Sequence, residues 1–186
     1  MFIQTELTPN PATLKFIPGK SVLGDGTADF RGKTEADSSP LAKRLFDVDG
    51  VRGVFLGSDF ISVTKADADE WQHMKPAILG AIMEHYLSGA PVMAGQEGGE
   101  AASEEHYDPA DEETVKTIKE LLDTRVRPAV ANDGGDIVFH GFKDGVVFLH
   151  MRGACAGCPS STATLRHGIE NLLKHFCPDV QEVRPV

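Results

Sequence analysis

Cys155 and Cys158 are the residues with the clearest chemical content: two thiols two residues apart in Gly153-Ala-Cys-Ala-Gly-Cys-Pro-Ser-Ser161. Paired thiols at this spacing serve soft metals or dithiol–disulfide exchange. Ala156 and Gly157 are small, so the backbone can turn tightly and point both sulfurs the same way. Pro159 suits the first turn of a helix, where its missing N–H has no partner to lose. The positive end of such a helix is expected to lower the thiol pKa and favour thiolate.

These thiols need elements to hold them. The apolar run Val146-Val-Phe-Leu-His-Met151 predicts a strand leading into the turn. Leu165, Ile169, Leu172 and Phe176, at spacings of four, three and four, predict a helix leaving it. Upstream, Asp108-Pro-Ala-Asp111 is a helix start, and Val115, Ile118, Leu122 and Val126 mark an amphipathic helix running toward Pro128. Asn132-Asp-Gly-Gly-Asp136 breaks that helix, its adjacent glycines reading as turn geometry. Residues 137–142 and 146–151, either side of Lys143-Asp-Gly145, predict a hairpin, and a closing strand is expected near 180–183. Residues 108–186 thus form a compact α+β domain.

Residues 1–88 form a second α+β domain. Strands are expected at 2–7 and 13–17, with a further short one within 21–30. Ser39-Pro40 starts a short helix that turns Leu41, Leu45 and Phe46 inward and stops by Gly50. Residues 51–56 and 60–64 predict a hairpin. Trp71 is placed in a short helical turn ending at Pro76, which restarts a longer helix with the apolar stripe Ile78, Leu79, Ile82, Met83, Tyr86 and Leu87. His73 and His85 read as surface or capping residues. Between the domains, residues 89–107 are rich in Gly, Ala, Ser and Glu with no apolar period, and predict a flexible acidic linker.

Most of the net charge of −10 lies in one short segment that spans the linker and the start of the second domain. Residues 1–90 carry −3, residues 91–113 carry −8 and residues 114–186 carry +1. No basic stripe with interleaved aromatics is present, so nucleic acid is not an expected partner. The longest strongly apolar stretch, residues 77–83, falls far short of the roughly 20 residues that cross a bilayer, so no membrane is expected either. Three cysteines, with no secretory signal at Met1-Phe-Ile-Gln-Thr-Glu6, point to a reducing compartment. The expected location is the bacterial cytoplasm, with a processed organellar protein as the other possibility.

Three chemistries compete for the thiol pair. A thioredoxin-type dithiol oxidoreductase uses a similar strand–turn–helix, but only 28 residues follow Cys158, too few to complete that fold. A zinc-linked structural dimer would use the pair as half of a tetrahedral site. Cys177 lies 19 residues beyond Cys158 along the same helix. It is therefore ~25 Å away, unable to complete the site in its own subunit, and reads as a buried small side chain. His167 reads as solvated. An iron–sulfur cluster typically takes four thiolates, and a two-fold dimer supplies the second pair. Arg152 and Arg166 are candidates to offset the cluster's negative charge.

The run from Gly153 to Glu170, preceded by Val130-Ala-Asn-Asp-Gly-Gly-Asp136, resembles the C-terminal domain of NifU-like (Nfu-type) iron–sulfur proteins. The first half resembles that family's N-terminal domain through Gln4-Thr-Glu-Leu-Thr-Pro-Asn-Pro11, Ser39-Pro-Leu-Ala42 and residues 51–64. The resemblance implies a non-catalytic scaffold or carrier. It implies a [4Fe-4S] cluster shared between two subunits through Cys155 and Cys158, with upstream assembly proteins as donors and apoproteins as recipients. The extra cysteines of longer NifU proteins are absent, and Cys177 lies outside the motif.

Overall fold

The computed structural model describes residues 1–24, 26–94, 105–156 and 159–186, with the backbone alone for 159–162. The chain divides into two α+β units, Met1–Glu100 and Ala101–Val186.

The first unit is built on an antiparallel sheet of five strands, β1 (Gln4–Leu7), β2 (Thr13–Ile17), β3 (Ala28–Phe30), β4 (Val51–Leu56) and β5 (Ile61–Lys65), in the order β1-β2-β5-β4-β3. The expected hairpins are present, and the uncertain third strand is the short edge at Ala28–Phe30. Helix α1 (Pro40–Phe46) starts where Ser39 and Pro40 predict. The Ala42 amide donates to Ser39 Oγ at 3.1 Å, satisfying an N–H that the first helical turn leaves open. Leu41, Ala42 and Leu45 then face a core that includes Phe16, Leu56 and Ile61.

Helix α2 runs unbroken from Trp71 to Ser88, with Pro76 inside it, where a break was expected. A proline so near the start removes one backbone hydrogen bond, and Met74 and Ile78, buried on either side, keep both halves on the same core. The inward face is Met74, Ile78, Ala81, Ile82 and His85. Met83 and Leu87, expected in that stripe, are 38% and 79% exposed, because they sit beyond the edge of the packed face.

The second unit holds four strands in the order β6-β7-β8-β9. They are β6 (His106–Tyr107), β7 (Gly135–Lys143), β8 (Val146–Gly153) and β9 (Glu182–Pro185). The β7–β8 pair is antiparallel, while β6 and β9 lie parallel to their neighbours. Asp144 (φ 50°) and Gly145 (φ 80°) both take positive φ, which the two-residue hairpin turn requires. Helix α3 (Glu112–Leu121) continues through a π turn at Leu122–Val126 into α4 (Arg127–Asn132). The helical run ends at Asn132, where the Asn132–Asp136 break was expected. The π turn resets the backbone so that Pro128 falls in the first turn of α4, where it is tolerated. Helix α5 (Pro159–Phe176) returns the chain to β9, two residues later than expected. Val115, Ile118, Leu122, Ile169 and Leu173 from the helices pack on Ile137, Phe139, Val147, Leu149 and Val183 of the sheet.

Of the expected linker 89–107, residues 95–104 lie outside the described residues. Its ends belong to the units. Val92 and Met93 pack on the first core, and His106–Tyr107 forms β6.

Candidate metal centre

Cys155 lies on the turn between β8 and α5, on the strand side. Two glycines shape this end of the sheet. Gly134 (φ 80°) turns the chain into β7, and Gly153 (φ 64°) turns it out of β8. The Ala154 amide donates to the Gly134 carbonyl at 3.2 Å, and the Ala156 amide donates to the Gly153 carbonyl at 3.1 Å. The two turns are thereby strapped together. Gly135, the next residue, has a different task. A Cβ there would lie 2.7 Å from Cys155 Sγ and 2.7 Å from the Arg152 carbonyl oxygen. The absent side chain is the space the thiol occupies. Reading Gly134-Gly135 as turn geometry therefore accounts for the first glycine, while the second permits close packing of the cysteine.

Cys155 is 7% exposed and belongs to the apolar core of its unit. Burial pushes its thiol pKa up to about 12, with the charges of Asp133 and Asp136 acting in the same direction. The expected lowering by the helix N-terminus is corrected here. That influence fades within a turn, and Cys155 precedes Pro159 by four residues on the desolvated side. Such a thiol is a poor nucleophile at neutral pH, which counts against dithiol exchange. A metal ion that displaces the proton would supply the charge that makes thiolate favourable. Cys158 lies outside the described residues.

Asp136 is 3% exposed and gripped by Arg127, whose Nε and Nη2 donate to its two carboxylate oxygens at 3.0 Å each. Arg127 Nη1 also donates to Asp123 at 3.2 Å. The hydrogen bonds it donates to Asp136 raise the Arg127 pKa, so its charge is permanent. This pair ties α4 to the first residues of β7, under the cysteine turn. Sequence reasoning missed it. The available signal was a carboxylate between Gly135 and Ile137 in a buried strand, which demands a cation nearby.

Arg152 is half-buried in β8, cross-strand from Asp136. Arg166 is half-buried on α5, its Nε enclosed without a hydrogen-bond partner. Cys177, 5% exposed beyond the far end of α5, is part of the core as expected, and burial raises its pKa. His167 and His73 are exposed, as expected. His85 is not: it is fully buried, and neither ring nitrogen has a hydrogen-bond partner. Among the described residues no three His, Cys, Asp or Glu side chains are grouped to hold a metal ion. No described helix is long and apolar enough to cross a membrane.

Residues 3–89 match the family described as scaffold protein Nfu/NifU N terminal, and residues 118–184 match the NifU-like domain. The Drosophila sechellia protein named NFU1 iron-sulfur cluster scaffold homolog, mitochondrial, is 52% identical over 187 residues, covering 100% of this chain and 65% of its own length. Its Drosophila virilis namesake is 51% identical, with coverage of 100% and 62%. The chain thus spans less than two thirds of the length of these curated relatives. The solved structure of a NifU-like protein from Saccharomyces cerevisiae is similar over 52% of this chain and 87% of its own, with 25% identity and a TM-score of 0.47. The relatives are mitochondrial by name, which overturns the expected bacterial cytoplasmic placement. With an Nfu N-terminal domain in its first half and a NifU-like domain around the Cys155 turn, the chain belongs to the NifU/Nfu family of iron–sulfur scaffold proteins.

Proposed function

We propose that the chain is a non-catalytic carrier that takes up a [4Fe-4S] cluster as cargo between two copies of itself and passes it to recipient apoproteins. Cys155 and Cys158 of each copy are the ligands. The observation that carries this reading is the Cys155 turn: a soft donor seated against Gly135, at the end of β8 and just ahead of α5, within a NifU-like domain. One copy offers two thiols at this turn, and a cubane cluster takes four. A two-fold contact presents the same turn from each copy, so the count closes with no further ligand. A cluster held only across such a contact has a route out whenever the copies separate, which suits handover. Upstream assembly proteins supply the cluster, and the first unit serves as the module that recognises donors or recipients.

The proton on Cys155 sets the conditions for loading. Its raised pKa means that uptake releases a proton, so loading weakens as pH falls. The reading is tested by anaerobic reconstitution with iron and sulfide, followed by native mass spectrometry and Mössbauer spectroscopy. The expected result is about four iron and four sulfide per dimer. Cys155→Ser or Cys158→Ser abolishes loading, and Cys177→Ser leaves it intact. A monomer holding the full complement of iron, or colourless protein with stoichiometric zinc, overturns the reading.

A further inference from the structure

We propose that the second unit carries a docking cavity for a short segment of a partner protein, a large apolar side chain flanked by lysine or arginine, at the end of the sheet remote from the cysteine turn. It rests on the carrier reading only for its use, as a place where a donor or recipient is held. The binding itself needs no cluster.

A cavity of about 540 Å³ opens among β6, β7, β8 and the residues that lead into α3. That volume lies within the range of pockets that enclose a bound molecule, about 300–1,000 Å³. Its apolar wall follows from strand alternation. Val147 and Leu149 turn into the core, so Phe148 between them stands half-buried on the cavity side. Tyr107 and Phe142 add two more rings. A Cβ on Gly141 would lie 2.6 Å from the His106 carbonyl oxygen, so this glycine is what admits β6 to the edge of β7 and closes the wall.

The charges around that wall are unbalanced. Three carboxylates, Asp108, Asp111 and Asp144, stand against one ammonium, Lys143. Asp108 and Asp111 come from the start of the helical run and Asp144 from the hairpin turn, so carboxylates reach the cavity from two separate elements. Asp108 Oδ1 accepts from the Ala110 amide at 3.0 Å, but among the described residues none of the four has an ion-pair partner. An aromatic wall within an acidic rim is complementary to an apolar side chain with basic neighbours, and it repels the same side chain set among acids.

Its place in the fold separates it from the thiols. Strand β7 begins at Gly135, against Cys155, and ends at Lys143, beside the cavity. A strand of nine residues spans about 25 Å. A partner can therefore be held at this end of the unit while two copies meet at the other.

The test uses the full chain carrying Cys155→Ser and Cys158→Ser, so that its failure is distinct from a failure to load a cluster. The capped peptide Gly-Lys-Phe-Lys-Gly is titrated while the backbone amides are followed by NMR. The expected result is saturable shifts centred on Gly141, Lys143, Asp144 and Phe148, with a Kd on the order of 1 mM or tighter. Glutamate in place of both peptide lysines abolishes the shifts, and glycine in place of its phenylalanine weakens binding. Asp111→Asn combined with Asp144→Asn weakens binding at least about fivefold. Should that double variant lose its amide dispersion, the three peptides against the parent decide the matter. No shift at these residues at about 10 mM peptide, or equal binding of either altered peptide, overturns the proposal. So do shifts at the same residues that grow with protein concentration alone, which assign the cavity to a second copy.

Discussion

His85 in the first unit and Cys155 in the second are both buried titratable side chains, and they bind their unit's stability to pH in opposite senses. Burial, reinforced by the charge of Arg44, lowers the His85 pKa from its usual 6.5. The unfolded chain takes up a proton below about 6.5 that the folded unit refuses, so the first unit is fully stable above that pH and loses stability as pH falls. Cys155 is the reverse. Its pKa is raised from 9.0 to about 12, so the second unit is fully stable below 9 and loses stability as pH rises through the window between the two values. Asp136 shows what a buried charge needs instead, an arginine held in place by two hydrogen bonds. A buried group with a counter-ion supports its site, while one kept neutral by burial makes its unit conditional on pH.

The strongest way to break this contrast is Arg127→Met. It leaves the Asp136 carboxylate buried without its fork and is expected to cost the second unit about 3–5 kcal/mol. Hydrogen exchange resolved by peptide should show the loss in β7 and α4. The fluorescence of Trp71, the single tryptophan and a first-unit residue, should unfold at an unchanged denaturant concentration. A loss below about 1 kcal/mol would mean that the ion pair is not what holds this end of the sheet. A smaller effect is expected from Gly135→Ala. The added methyl competes with Cys155 Sγ and with the Arg152 carbonyl, costing about 1–3 kcal/mol and reducing iron loading.

Smallest, and sharpest for the comparison, are the pH profiles. Urea unfolding of each unit between about pH 5 and 11 should show a first-unit limb falling toward acid and a second-unit limb falling toward alkali. Each group can contribute no more than about 1.4 kcal/mol per pH unit. His85→Leu should flatten the acid limb. Cys155→Ser should flatten most of the alkaline limb, the remainder belonging to Cys177, whose pKa burial also raises. An acid limb that survives His85→Leu would move its origin elsewhere in the unit.

Local chemistry made much of this fold readable. Ser39 followed by proline announced α1, and Lys143-Asp-Gly145 announced a turn that only positive φ values can close. Apolar alternation located the hairpin strands. What escaped were features decided by partners distant in sequence. Pro76 read as a break, but buried neighbours carry the helix through, and nothing local signalled the π turn at Leu122–Val126. His85 sits four residues beyond Ala81 and seven beyond Ile78, a core position on α2, yet its polarity argued for the surface. The cysteine turn was found from spacing alone, while the burial that raises the Cys155 pKa and the Arg127–Asp136 support beneath it depend on strands and helices meeting.

Ser39 Oγ not only accepts from Ala42 but also donates to the Val92 carbonyl at 2.6 Å, and the Ala94 amide donates to the Ser38 carbonyl at 2.8 Å. The sequence match to the N-terminal family stops at residue 89, so a fragment trimmed to that limit would shed both clasps along with Val92 and Met93. Excising this half for crystallography or pull-down work therefore calls for a cut no earlier than Ala94, and a preparation ending at 89 would bare part of its own interior and invite clumping.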